Sequence, residues 1–324
     1  LLSHGITTSV EMYFLGNEVA EAASTAGLRC FVTAPFIDDP QLSRLGTWEQ
    51  QVEDAVILRD RFRDHRLITV GLGPHSAYTM SEGALRSIAS RAMAEDMLIH
   101  IHVAEGQHEG DGVMAAHGCT VPAFLDRIGM LEARVLAAHS VWMTNDDIAL
   151  FASKGVGVAH CPVSNGKHAS GIAKVVEMRS AGIPVGIATD GPASDNRLDL
   201  FEGMRTAIRF ARLRAQDAGA LGPADAIRMV TREAAAAIGR PDLGSLEAGS
   251  RADMILVDLD QPEFSPVIEP SDLLTHLVWS GTPAFIDTVW VEGRRVVKHG
   301  SCLTVDMASA VSEVTARARR LAEG

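Results

Sequence analysis

The chain has 324 residues, 47% of them hydrophobic, enough for one large domain or for a large one beside a small one. Its 29 Lys and Arg against 41 Asp and Glu give a net charge of -12, which repels polyanions. No basic tract is interleaved with aromatics, so a nucleic-acid partner is excluded and a small molecule is expected.

No run of 18 apolar residues exists, so no membrane partner is expected, and the first residues are not a signal peptide. Cys30, Cys119, Cys161 and Cys302 are far apart and form no CxxC pair, which argues against a zinc knuckle or a disulfide scaffold. They read as buried thiols of a reducing, cytoplasmic compartment. A homo-oligomer is one option that composition leaves open.

The sequence opens without Met on LLSHGITTSVEM, a helix end, a Gly5 stop and a strand over 6–12, so the natural N-terminus is expected upstream. A helix over 18–26, stopped by Gly27, leads to a second strand over 28–36. A long helix over 48–64 precedes the third strand, LITVGLGP, which ends at Pro74-His75. Ser81 caps a helix to about Glu95. The fourth strand is LIHIHVAE, 98–105, whose apolar run is that of a parallel strand covered on both faces. Helical turns over 115–129, a strand over 134–140 and a helix over 144–154 capped by Thr144 follow. Strands over 156–161 and 185–189 flank a helix over 174–181.

These are seven strands, with starts roughly 20 to 40 residues apart and a helix in most gaps, the repeat of a βα unit. Helices over 198–216 and 223–238 come next, the second with Pro223 in its first turn. From Gly239 the texture changes to short β-runs broken by Gly and Pro, then to an amphipathic helix with Met307, Ala310, Val311, Val314, Ala318 and Leu321 on one face. The fold class is therefore α/β. Residues 1–239 form a (β/α)8 TIM-type barrel lacking its first strand, 240–306 a small β-sandwich module, and 307–324 a closing helix. A doubly wound sheet competes, but its glycine-rich phosphate turn is absent.

Polar residues gather at the predicted strand ends: His75, His102 with Glu105, His139, His160 and Asp190. In a barrel of parallel strands, reactive groups come from those ends, and a ring of His and carboxylate is how an open metal site is assembled. Imidazole with carboxylate suits Zn²⁺ or Fe²⁺, which acidify a bound water, and His139 and Asp190 suit its proton. His160, before Cys161-Pro162, reads as bracing a loop. His100 makes IHIH resemble a two-His metal motif, but it lies one layer deeper than His102. His108, His117, His168, His276 and His299 read as surface residues.

The ordered stretches GPHSAYT, IHIHVAEG, LAAHS, AHCPVSN, GIATDGPAS and GSLEAGSRADMILVD resemble the metal-dependent amidohydrolase superfamily. Within it they are most similar to the branch of S-adenosylhomocysteine and methylthioadenosine deaminases and their chlorohydrolase relatives. The resemblance covers essentially the whole chain. It implies one Zn²⁺ or Fe²⁺ per chain, held by His102 and Asp190 together with an upstream His-x-His that this sequence does not contain. It further implies Glu105 as proton shuttle to a ring nitrogen, His139 as the group that polarises the attacking water, and His75 and Ser194 as substrate contacts. Relatives acting on homocysteine-bearing nucleosides often place an Arg after the second strand. This chain has Thr33-Ala34-Pro35 there, with Arg44 as a substitute in the next loop.

The expected reaction is hydrolytic deamination of a heterocycle, an adenine nucleoside first, with guanine, pterin or triazine rings as the alternative. A catalytically silent scaffold or oligomerisation subunit is the rival from another class. Retention of His102, Glu105, His139 and Asp190 together argues against it.

Overall fold

The structure, a computed structural model, describes residues 1–38 and 46–323, so Arg44 lies outside the described residues. Seven segments make the parallel array. They are β1 (Thr8–Glu11), β2 (Arg29–Val32) continued as β3 (Pro35–Phe36), β4 (Ile68–Val70) continued as β5 (Gly73–Pro74), β6 (Ile99–Val103), β7 (Val135–His139), β8 (Gly157–His160) and β9 (Val185–Ile187). Registers such as Val10↔Phe31, Phe31↔Thr69, His102↔Ala138 and Ala159↔Gly186 are all parallel. The β4/β5 strand joins β6 through Leu72 N to Leu98 O, 2.8 Å, and His100 N to Leu72 O, 2.9 Å. Among the described residues, β1 and β9 are the two ends of the array.

Two expected strands, 28–36 and the LITVGLGP run, are each broken in the middle. The two run close together at the break: a Cβ on Gly73 would stand 2.2 Å from the Thr33 carbonyl oxygen. The apolar strand residues Cys30, Val32, Leu72, Ile99, Ile101, Val103, Ala137, Val158 and Val185 are buried. This is the near-continuous hydrophobic reading of a sheet covered on both faces.

Helices α1 (Gly16–Ala26), α2 (Trp48–Arg61) and α3 (Glu82–Glu95) begin and end as the sequence dictates. Thr47 and Gln50 form a reciprocal capping box, Ser81 accepts from Ala84 N, and Gly27 closes α1 at φ 76°. The expected turns over 115–129 are two helices, α4 (Gln107–His117) and α5 (Val121–Arg127). Helix thus begins eight residues earlier than read, directly after Gly106. Then follow α6 (Asn145–Lys154), capped by Thr144, α7 (Pro162–Lys167), α8 (Val175–Ser180), α9 (Pro192–Asp195) and α10 (Leu200–Ala215). The single helix expected over 223–238 is α11 (Pro223–Met229) and α12 (Arg232–Ala237). The break falls at Thr231, where the chain at Gly244 crosses close to the backbone; the Thr231 hydroxyl meanwhile donates to Ile227 O at 2.7 Å.

Residues after 239 build an antiparallel sheet of β10 (Met254–Val257), β11 (Ile286–Val291), β12 (Arg294–Lys298) and β13 (Ser301–Cys302). They also hold a helix that the reading missed, α13 (Pro270–Trp279), packed on α10 and α11. The guanidinium groups of Arg209 and Arg212 lie 5.9 and 5.6 Å from the Trp279 ring centre. Arg29, 1% exposed at the start of β2, fastens this sheet to the barrel: it donates to both Asp253 oxygens at 2.8 and 3.0 Å and to Arg66 O at 2.8 Å, and pairs with Glu292. The last helix, α14 (Met307–Ala322), forms as expected, yet Val311, Val314 and Leu321 on its apolar face stay exposed. No described helix is long and apolar enough to cross a membrane.

Candidate active site at the strand ends

The strand ends carry the site, and their backbones bend sharply to present it. Ala104, His139, Ser140 and Asp190 all take left-handed φ of 50 to 68°, an uncommon setting for residues with a Cβ that recurs where side chains are held for function. His102, at the end of β6, donates its Nδ1–H to His75 O at 2.8 Å. A carbonyl only accepts, so Nδ1 carries the proton and Nε2 keeps a free lone pair. Burial, with His139 beside it, holds the imidazole below its ordinary pKa and so in the neutral, ligating form.

Three rings lie in sequence, the first pair tilted at 36° and the second stacked. His75 and His102 lie 4.6 Å apart between centroids, and His102 and His139 lie 5.4 Å apart at 19°. His75 Nδ1 faces the hydroxyls of Ser76 and Thr79 at 3.1 and 3.2 Å. Burial, then His102 and His139, push its pKa down to about 4. His139, 1% exposed, donates from Nδ1 to Asn165 Oδ1 at 2.9 Å, and its Nε2 stands 3.8 Å from the Glu105 carboxylate. At that distance the two are not hydrogen-bonded, and no described residue donates to that carboxylate.

Asp190 accepts from Ser164 Oγ and Gly191 N, each at 2.7 Å. Burial alone would raise its pKa, but these two bonds, with His139 and His102 nearby, outweigh it and keep the carboxyl below its ordinary value. Ser194 sits half-buried in the short α9 that follows, its N–H on Gly191 O at 2.9 Å. His75, His102 and His139 therefore lie side by side with Glu105 next to His139, while Asp190 and Ser194 follow the end of β9.

His160 does not brace a loop through hydrogen bonds, because both ring nitrogens are buried without a partner. Burial, then His139, push its pKa down to about 3. His100 is the deeper layer, its Nδ1 at 2.9 Å from Thr33 Oγ1, which itself donates to Glu11 O at 3.0 Å.

The donor chemistry suits a divalent metal. The His102 lone pair and the Asp190 carboxylate are the imidazole and oxygen donors that Zn²⁺ or Fe²⁺ takes. Among the described residues, no three His, Cys, Asp or Glu side chains enclose a site by themselves.

Sequence reasoning passed over Asn165, Ser164 and Glu109. Asn165 and Ser164 arrive on the one-turn α7, which Pro162 starts, and AHCPVSN offered the signal as a polar Ser-Asn pair just after a strand end. Glu109, 1% exposed, accepts from Glu105 N at 2.9 Å, and its only trace in the sequence was the spacing of two Glu four residues apart.

Residues 1–296 match the family model described as the Amidohydrolase family. A 5-methylthioadenosine/S-adenosylhomocysteine deaminase of Pelotomaculum thermopropionicum is 37% identical over 330 residues, which span 99% of this chain and 73% of the relative. The crystal structure of an adenosine deaminase from Xanthomonas campestris with bound zinc superimposes with a TM-score of 0.95 at 32% identity, covering 100% of this chain and 73% of that one. Atrazine chlorohydrolase from Arthrobacter aurescens, complexed with zinc, gives 0.86 at 26% identity over 97% of this chain and 73% of its own. The fold, the crowded strand ends and the family match over nearly the whole length agree: this chain belongs to the amidohydrolase family.

Proposed function

We infer that the protein is an aminohydrolase that replaces the amino group of an N-heterocycle by oxygen, with an adenine nucleoside of the adenosine, methylthioadenosine or S-adenosylhomocysteine type as first choice. The observation that carries this is Glu105. Its carboxylate stands 3.8 Å from His139 Nε2, free of any donor among the described residues and three positions past a ligating-form His102. A carboxylate left unspent beside the donor pair is what ring protonation requires, since the essential Glu of nucleobase deaminases is not a ligand.

In this reading His102 Nε2 and Asp190 hold one Zn²⁺ or Fe²⁺, which supplies acidity to a water and charge stabilisation at the reacting carbon. Glu105 gives a proton to the ring nitrogen next to the amino-bearing carbon. His139 and Asp190 receive the proton of the attacking water. A C–O bond forms and the C–N bond breaks: the proton taken from the water passes to the departing amino group, which leaves as ammonia, and the proton remaining on the new hydroxyl restores Glu105 as the ring carbonyl forms. His75, neutral because its pKa is near 4, and Ser194 contact the substrate. The likeness to adenosine and methylthioadenosine deaminases supports the adenine ring. The likeness to atrazine chlorohydrolase favours displacement at another ring carbon as the second reading. The unpaired thiols fit a cytoplasmic setting.

The test is ammonia release from adenosine, methylthioadenosine, S-adenosylhomocysteine, guanine and pterins, with elemental analysis of the same protein. About one Zn or Fe per chain with ammonia from an adenine nucleoside upholds the reading. Metal without ammonia from any of them moves the assignment to the second reading, and absence of metal leaves a silent scaffold.

A further inference from the structure

We propose that Glu109 is a positioning residue for Glu105: its buried carboxylate pins the peptide unit from which the Glu105 side chain departs. This rests on the aminohydrolase reading above. Glu109 is the third residue of α4, where an acid ordinarily closes a capping box on the N-cap N–H and stays in water. Here the N-cap is Gly106, and the carboxylate reaches past it to Glu105 N, Oε2 to N 2.9 Å. The side chain is 1% exposed and Oε1 has no partner, an arrangement that costs stability and that helix capping does not require.

What the arrangement secures is one peptide plane. Its carbonyl, Ala104 O, accepts from Val141 N at 3.0 Å and Trp142 N at 2.9 Å, in the loop that leaves β7 just after His139. Its N–H, that of Glu105, is the one Glu109 holds. The peptide is thus gripped at both ends, from the His139 side and from the α4 side. It is gripped at the point where Ala104 takes a left-handed φ of 50°. Released at the N–H, that turn can relax toward ordinary φ and swing the Glu105 carboxylate away from its place 3.8 Å from His139. Tyr78 feels the same acidic pair: burial first, then the charges of Glu105 and Glu109, raise its phenol above the ordinary pKa.

The experiment compares E109L, E109D and E109Q for kcat, KM and hydrogen exchange at the Glu105 amide. Glu109→Leu removes the acceptor, and Glu109→Asp holds it one methylene short. Both are expected to lower kcat about 10- to 100-fold with KM within about 3-fold, since a catalytic group displaced by about 1 Å costs on that order. Both should also speed exchange of the Glu105 amide. Glu109→Gln keeps an acceptor oxygen and should rescue both readouts. Parental kcat in E109L or E109D, unchanged exchange at Glu105, or E109Q as impaired as E109L each overturns the clamp. If E109L does not fold, E109D decides. A parent protein that deaminates nothing but shows E109L-sensitive exchange at Glu105 withdraws the reaction assigned above, not the clamp.

Discussion

Asn165 fixes the proton of His139. Its Oδ1 stands 2.9 Å from His139 Nδ1, and an amide oxygen can only accept, so Nδ1 carries a proton and Nε2 is turned toward Glu105. Asn165→Leu removes the acceptor and frees the ring and its tautomer, with an expected loss of about 10- to 100-fold in kcat/KM. Asn165→Asp retains an acceptor at the same reach and should lose less. Steady-state ammonia release checks both, and N165L within twofold of the parent would show that the ring needs no orienting partner.

Glu105 and His102 stand three residues apart with different duties, so their variants should part company. Glu105→Gln removes the proton carrier and leaves the His102 lone pair and Asp190 untouched. Turnover should fall about 10²- to 10⁴-fold while metal content stays at the parental level. His102→Ala should lose both. Elemental analysis beside the kinetic assay separates them, and E105Q protein stripped of metal would mark Glu105 as a ligand instead.

The buried Glu109 carboxyl makes stability depend on pH in a set direction. Burial is the main cause that raises its pKa from 4.5 to about 7, with the charge of Glu105 adding and the hydrogen bond from the Glu105 N–H opposing. The folded protein therefore holds more protons than the unfolded chain between those values, so stability falls as pH rises from about 4.5 to about 7. The gap corresponds to about 3 kcal/mol. Glu109→Gln should raise Tm at pH 8 and leave it little changed at pH 4.5. A Tm gain that is equal at both pH values would refute the assignment.

Arg29 and Asp253 share a double hydrogen bond in which neither group meets water, with side-chain exposures of 1% and 4%. Asp253→Ala leaves the guanidinium buried with Glu292 and the Arg66 carbonyl only, and the expected cost is about 3 to 5 kcal/mol. Arg61, paired with Glu21 on the surface, is the control: Arg61→Ala should leave the urea midpoint unmoved. Equal midpoints for the two variants would mean that the barrel and the small sheet are not held together at Arg29.

The strands and the polar residues at their ends were legible because burial on both faces leaves an unmistakable apolar run. Leu98 to Val103 could hardly be anything else, and a His followed by a Glu at its end stood out. The helix breaks were not legible. The Ala-rich stretch around Thr231 carries one helical period throughout, and what divides it is tertiary: a Cβ on Gly244 would lie 2.6 Å from the Thr231 carbonyl carbon. Residues 270–279 fall between the two β-runs that the sequence marks and carry no assignment of their own, because LLTHLVW is apolar enough for either state; packing against α10 and α11 settles it as α13. Glu109 and Asn165 escaped for a different reason. Glu in the first turn of a helix and Asn after a Pro are ordinary surface residues, and only the fold turns them inward onto Glu105 and His139.

Gly157, the first residue of β8, is where α12 comes closest to the barrel. A Cβ there would stand 2.1 Å from Ala237 O and 2.7 Å from Ala237 Cα, and because both are backbone atoms no side chain can rotate out of the way. Gly157→Ala must push the end of α12 off the sheet or shift β8 itself, at an expected cost of about 1 to 3 kcal/mol. Because β8 runs directly into Cys161 and α7, which carries Ser164 and Asn165, a shift of that strand should also lower turnover. Gly83, the second residue of α3, has nothing within 4 Å of an added Cβ, so Gly83→Ala should instead stabilise the protein by about 0.5 to 1 kcal/mol through the better helix former. Thermal melts of the two variants give the answer: opposite signs of ΔTm support the crossing, and a harmless Gly157→Ala would mean that α12 does not rest on β8.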